Sequence, residues 1–273
     1  MAMHAETPNW EAFHDYGPGA GTSPSASRGM LRTAGQTYVL LNIATGEELA
    51  AVVTAETEGG TPDDFGARGG APGVASPAHL LFDGKVDLSN GGLPGVRQAV
   101  KLTLAFTGLD PAKRYTFCGF VSRGGNYNNR WSVHTLVANN IGVAAHKDGS
   151  ANRNIFTAAT FLPAAESLAA NQVALNSGHN KEGSLVCWEQ IEPMEDGSVR
   201  VESLRYMGPT PFGEAAHAGT SYAYGFEAFY LAEFEATGNL RITENPSNLK
   251  VPAGTKATFS VVASSPDPIQ YQW

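Results

Sequence analysis

Charge is scarce in this 273-residue chain: only 16% of residues are charged, and its 18 lysines and arginines form no basic run. Against them stand 26 acids, for a formal net charge of −8. A nucleic-acid backbone would be repelled rather than steered in, so nucleic acid is not an expected partner. Apolar runs are short as well. None approaches the roughly 18 residues that a membrane-spanning helix needs, so no membrane span is expected. The opening MAMHAETPNWEAFHDY has neither a basic n-region nor an apolar h-region, and no signal peptide is visible. The seven histidines show no H-E-x-x-H or other paired metal spacing. Neither G-x-S-x-G nor a G-x-G-x-x-G between strand and helix occurs, so a nucleophilic-serine elbow and a phosphate cradle both lack support. Cysteine is nearly absent too. Cys118 in TFCGF and Cys187 in LVCWE each fall inside an expected strand. They could bridge two strands in an oxidising compartment, but two buried thiols packed as small apolar residues is the preferred expectation.

What is plentiful is turn chemistry. The 31 glycines and 16 prolines suit many short strands, and 42% hydrophobic residues suffice for a real core. The stretch 98–137 organises the chain. Val100, Leu102, Leu104 and Phe106 alternate with Lys101, Thr103 and Ala105, the period of a half-buried strand. Leu109, Pro111 and Tyr115 then form a corner in which the tyrosine hydroxyl is expected to reach back to the backbone. A second strand through Phe117, Phe120 and Val121 runs into a polar loop, 123–130. Further strands are expected at Trp10–Tyr16, Tyr38–Ile43, Asn154–Phe161, Gln172–Asn176 and Ser184–Ile191. Another is expected at Glu48–Thr57, where the alanines leave an amphipathic helix as the alternative. Asp196-Gly197 marks a hairpin turn into Ser198–Leu204. Pro163–Ala170 reads as one or two helical turns, and Ser221–Phe234 as one long aromatic strand closing the sandwich, its stripe core rather than a sugar platform. Gly59–His79, a connection of 21 residues, is long enough to suggest a functional or mobile loop. About ten strands with little helix predict an all-β, antiparallel jelly-roll sandwich.

The loop RGGNYNNRW is the best binding candidate. Arg123 and Arg130 offer fixed donors, Asn126 and Asn128 offer amides, and Tyr127 offers a ring. Sugars present hydroxyl pairs to planar polar groups and C–H faces to rings, so this composition suits a glycan. The competing reading is an ordinary strand connection with asparagines in left-handed turns, and Trp131 is expected in the core. Asp83 and Asp87, joined by Asp63, Asp64 or Glu227, are the acids nearest to a structural calcium set, although no D-x-D-x-D-G loop occurs and solvated turn carboxylates are the favoured reading. His134 is expected to be packed or at the surface rather than catalytic, and no carboxylate pair stands out for glycoside hydrolysis.

The run L-T-L-x-F-T-G-L-D-P-x-x-x-Y-T-F resembles the paired strands of galactose-binding-like jelly-roll modules of secreted bacterial proteins, which resemble carbohydrate-binding modules. It also looks like a fibronectin type III corner, but that fold needs only about a hundred residues. The first 236 residues suit the larger module. The tail LRITENPSNLKVPAGTKATFSVVASSPDPIQYQW resembles the start of a bacterial immunoglobulin-like domain, with Trp273 as its core tryptophan. These resemblances imply a jelly roll over residues 1–236, a truncated immunoglobulin-like segment over 237–273, and further domains in the same protein. They imply an extracellular or cell-surface, non-catalytic module whose partner is a glycan or polysaccharide, with no cofactor beyond a structural calcium. A structural or adhesion module without a ligand is the alternative, and a glycan-directed hydrolase the third reading; a Ser–His contact or two facing carboxylates in a cleft would favour it.

Overall fold

The computed structural model describes residues 7–17, 23–66, 69–88, 92–124, 127, 129–140, 143–144, 154–161, 168–211, 222–235, 241–244, 254 and 262–264. Strand dominates, at 47% against 4% helix. β1 (Trp10–Asp15), β2 (Ser27–Arg28), β3 (Thr37–Leu41), β4 (Glu48–Glu58) and β5 (Asp63–Asp64) come first. A short helix, α1 (Pro77–Phe82), precedes β6 (Pro94–Arg97), β7 (Lys101–Thr107), β8 (Arg114–Phe120) and β9 (Trp131–Val137). Then follow β10 (Val143–Ala144), β11 (Ile155–Phe156), β12 (Gln172–Asn176), β13 (Val186–Ile191), β14 (Val199–Arg205), β15 (Tyr222–Tyr224) and β16 (Ala228–Phe234). These belong to one compact unit, Met1–Phe234; a second, Glu235–Trp273, holds the antiparallel pair β17 (Arg241–Glu244) and β18 (Val262–Ser264). Trp273 lies outside the described residues.

Two large sheets build the first unit, with strand orders β10-β13-β8-β16-β1-β2 and β11-β12-β9-β14-β7-β4-β3. Every neighbouring pair is antiparallel except the two-residue β1–β2 contact. The alternation read in the sequence sets which residues face inward. Tyr115, Phe117, Phe229 and Leu231 from one sheet share a core with Leu104, Phe106, Leu136, Val199 and Val201 from the other. Phe106 meets Phe117 and Phe229 edge-on, at 5.8 and 5.2 Å between ring centroids. The chain switches sheets between β7 and β8, β8 and β9, β12 and β13, and β13 and β14. This is an antiparallel jelly-roll sandwich.

The corner between β7 and β8 closes as its sequence predicts. The Asp110 N–H donates to the Tyr115 hydroxyl at 2.8 Å, and that hydroxyl donates to Glu233 at 2.7 Å. Glu48–Glu58 is strand throughout, so pairing with β3 and β7 overrides the helical leaning of its alanines.

Other segments depart from their expectations. Asp196-Gly197 does form a turn, with Gly197 at φ 72°, but it carries the chain from one large sheet to the other and closes no hairpin. Asn154–Phe161 keeps only the two residues of β11, because Thr157 turns the chain by accepting backbone bonds from Thr160 and Phe161. Ser221–Phe234 is two strands rather than one. It breaks at Gly225, where the chain passes from a small sheet, β15-β6-β5, into the six-stranded one. Its side chains are nevertheless core, as expected. The 21-residue connection is partly structured: β5 pairs with β6, and its end enters α1. Ser76 caps that helix by accepting from the His79 N–H, and Pro77 stands at its first position. This Ser-Pro start is a helix signal carried by the sequence itself. Pro163–Ala170 falls mostly outside the described residues.

The cysteines require a correction. Cys118 on β8 and Cys187 on β13 stand directly opposite in register, with Cα atoms 4.2 Å apart, and are joined as a disulfide. Strand alternation places both on the outer face, where they pack with Phe13, Phe82, Phe120 and Leu185 beneath α1. Between them the chain passes through β9, β10, β11 and β12 and changes sheet four times, so the register that brings them together is invisible in sequence.

Candidate functional site

Three connections converge around Arg123. The first is the one leaving β8. The Arg123 N–H donates to the Ser177 carbonyl at 2.8 Å, and the Gly70 N–H donates to the Ser122 carbonyl at 2.8 Å. A bridge between Gly69 and Arg123 adds the long connection as a second wall. The third segment follows β12. Its Ser177 N–H and hydroxyl both donate to the Arg130 carbonyl, at 2.9 and 2.7 Å, while the Arg130 N–H donates to Asn176 Oδ1 at 3.0 Å. Gly178 makes this seating geometric: a Cβ there would overlap the Tyr127 carbonyl oxygen and the Arg130 side chain. Arg130 is therefore held by hydrogen bonds through its own backbone, and it and Tyr127 border a site where only glycine fits.

On this support sits an aromatic and cationic cluster. The Arg123 guanidinium lies 4.0 Å from the Tyr127 ring centroid, and Arg130 lies 5.6 Å from the same ring. Tyr127 is 38% exposed whereas Arg123 is 7% exposed, so the ring is presented outward and the cation stiffens it from within. An open groove of about 450 Å3 is lined by Asp64, Phe65, Gly66, Arg123 and Tyr127. Phe65 in turn rests edge-on against Tyr222 and Tyr224, at 5.0 and 5.4 Å. Burial pushes the Tyr224 phenol above its ordinary value, and a hydrogen bond from Arg123 works the other way. Arg205 is lowered from the usual guanidinium range by burial first and by the Arg130 charge second.

Of the residues singled out from sequence, Arg123, Tyr127 and Arg130 come together. Asn126 and Asn128 lie outside the described residues. Asn129 takes a left-handed φ of 60°, as the turn reading of these asparagines expects. Trp131 is core, 1% exposed among Phe156, Ala174 and Tyr206. Phe65, Asp64 and Tyr224 were not legible as partners of this loop, since they come from segments about 60 and 100 residues away; the unusual length of the 59–79 connection drew attention to the first two only.

The acids have separate tasks. Asp83 caps α1 and lies 3.6 Å from His79, with its side chain 67% exposed. Asp87 donates its backbone N–H to Asp15 Oδ2 at 2.9 Å. Asp63 pairs with Arg97 at 2.5 Å, and Asp64 with Arg32 at 3.9 Å. Glu227 is buried; burial raises its carboxyl well above the ordinary range, the Ser122 N–H opposes this, and the negative Asp15 and Asp87 add to it. Among the described residues, no three His, Cys, Asp or Glu side chains cluster as a metal set.

Two Ser–His contacts do occur. His14 Nδ1 lies 2.8 Å from Ser27 Oγ, and His134 Nδ1 lies 3.0 Å from Ser203 Oγ. Both histidines are sealed in the sandwich, at 1% and 0% exposure. Burial lowers them to about 4 and about 3. The neighbouring internal cavity, lined by His14, Tyr16, Ser203 and Glu227 among others, is about 10 Å3, close to the least space that holds one water. Each pair gives a buried serine hydroxyl and a histidine Nδ1 a partner, and the cavity beside them is water-sized.

No protein-family model, curated protein or solved structure matches this chain.

Proposed function

We propose that this chain is a non-catalytic, glycan-binding jelly-roll module of a secreted or surface-attached protein. The observation carrying this reading is the exposed Tyr127 ring, braced by Arg123 at the edge of an open groove. An outward ring takes the C–H face of a sugar, and guanidinium donors take its oxygens. Support for a binding role over a hydrolytic one comes from the Ser–His pairs, which lie buried where no glycan reaches. The Cys118–Cys187 bond supports residence in an oxidising compartment.

The test is retention of the whole chain on a panel of immobilised plant, algal and microbial polysaccharides, beside Tyr127→Ala. Binding of the wild-type chain to at least one polysaccharide, weakened by the substitution, is expected. If the wild-type chain is retained by none, the alternative of a structural or adhesion module replaces this reading.

A further inference from the structure

The groove's own lining narrows the ligand beyond a glycan in general, a step that rests on the glycan-binding reading above. Phe65, Gly66 and Tyr127 line it together with two charged residues, Asp64 and Arg123. Those two charges are presented differently. Arg123 is buried, at 7% exposure, and its guanidinium donates to the Gly124 carbonyl at 3.1 Å and bonds the Tyr224 phenol. The same guanidinium lies 6.0 Å from the Phe65 ring and 4.0 Å from the Tyr127 ring. Asp64, by contrast, is exposed. Its Oδ1 accepts the Gly66 N–H at 2.8 Å, while its Oδ2 stands 3.9 Å from Arg32 Nε, too far for a hydrogen bond. An ionised carboxylate offers about four lone-pair sites, so most of the accepting capacity of Asp64 is left for a ligand. Sugar hydroxyls donate to such an acceptor. A ligand carboxylate or sulfate brings no donor and meets like charge instead. A ligand ammonium meets the opposite obstacle, because the Arg123 cation already lies against both rings.

We infer that Asp64 selects the ligand and that the groove takes an uncharged sugar of a neutral polysaccharide. The carboxylate accepts charge-assisted hydrogen bonds from the sugar hydroxyls, and the exposed Tyr127 ring receives the C–H face. Asp64 turns away uronic and sulfated sugars, and Arg123 turns away amino sugars.

The experiment measures retention of the whole chain on immobilised neutral polymers (galactomannan, β-glucan and methyl-esterified polygalacturonate), on polygalacturonate and alginate, and on chitosan. Salt of about 1 M shortens the Debye length to about 3 Å and removes the bias of the net charge of −8. The tightest retention under those conditions is expected on a neutral polymer, and it should change little between low and high salt. Asp64→Asn should weaken that retention about tenfold, because it removes the charged acceptor. Glu195→Gln, which removes an exposed acid in the turn between β13 and β14, should leave it unchanged. Tightest retention on polygalacturonate, alginate or chitosan would overturn the neutral-sugar assignment and leave the glycan-binding reading standing. Undiminished retention of Asp64→Asn would remove Asp64 from the site and overturn the selection argued from it. Retention by no polysaccharide overturns both readings. The ranking of polymers uses the wild-type chain, so it decides the ligand class even if the Asp64 variant misfolds.

Discussion

Two regions of this molecule carry reactive side chains under opposite conditions. Between the sheets lie His14, His134, Ser203 and Glu227, residue types that enzymes use for chemistry, all at 2% exposure or less. At the groove lie Asp64, Phe65, Gly66, Arg123 and Tyr127, with Tyr127 open to solvent. The interior has Ser–His geometry without access; the groove has access and a single carboxylate, Asp64, that faces Arg32. Burial also strips the interior groups of charge, since it disfavours the imidazolium of each histidine and the carboxylate of Glu227. The contrast shows that proximity of catalytic residue types is not a site until a substrate can reach them.

That contrast can be broken from either side. The largest expected effect is on the closed side: replacing both Cys118 and Cys187 by serine, or reducing the bond, should cost about 2–5 kcal/mol, because the bond closes a long loop in the unfolded chain. A urea or thermal melt with and without reductant measures it, and an unchanged midpoint would show the bond to be energetically idle. Next comes the close contact beneath Tyr127 and Arg130. Gly178→Ala should cost about 1–3 kcal/mol and displace Tyr127 and Arg130, because the new Cβ has no room. Melting and polysaccharide retention should fall together; loss of neither would mean the loop relaxes freely.

A smaller effect separates the two regions by pH. Unfolded histidines take up protons near 6.5, whereas His14 and His134 resist until about 4 and about 3. The unfolded state therefore binds more protons in that window, and their contribution to stability is present above 6.5 and lost as pH falls toward 3. Asp15 and Glu227, raised by burial, act in the opposite sense. His134→Gln should flatten the acid-side decline in melting temperature relative to wild type, and identical slopes would contradict the assignment. Smallest in stability is Tyr127→Ala, expected within ~0.5 kcal/mol of wild type because the ring is exposed. The same substitution should weaken glycan binding about tenfold, through lost ring contact. A large stability loss with binding intact would reassign Tyr127 to the scaffold.

How much of this was legible beforehand follows from distance along the chain. The β7 alternation, the Leu-Pro-Tyr corner and the burial of Trp131 depend on neighbouring residues, and each could be read directly. Arg123, Tyr127 and Arg130 were also visible as a group, because they fall within one loop of eight residues. Phe65 and Tyr224 were not, because nothing local marks them as that loop's companions. The helix α1 carried a local signal in Ser76-Pro77, at the end of a stretch whose glycines and prolines read as a long loop.

By itself the sequence determined the class of the protein. Period-2 alternation, turn residues and scarce charge leave an all-β sandwich with a polar loop after its second central strand. The tertiary structure alone decided three further matters: that Cys118 faces Cys187 across adjacent strands, that Ser–His pairs are locked inside, and that Gly178 seats Tyr127 beside two guanidiniums. The physical reason is the same in each case. Strand register and sheet order set which distant residues meet, and both are fixed by packing across the whole core rather than by any local run of side chains.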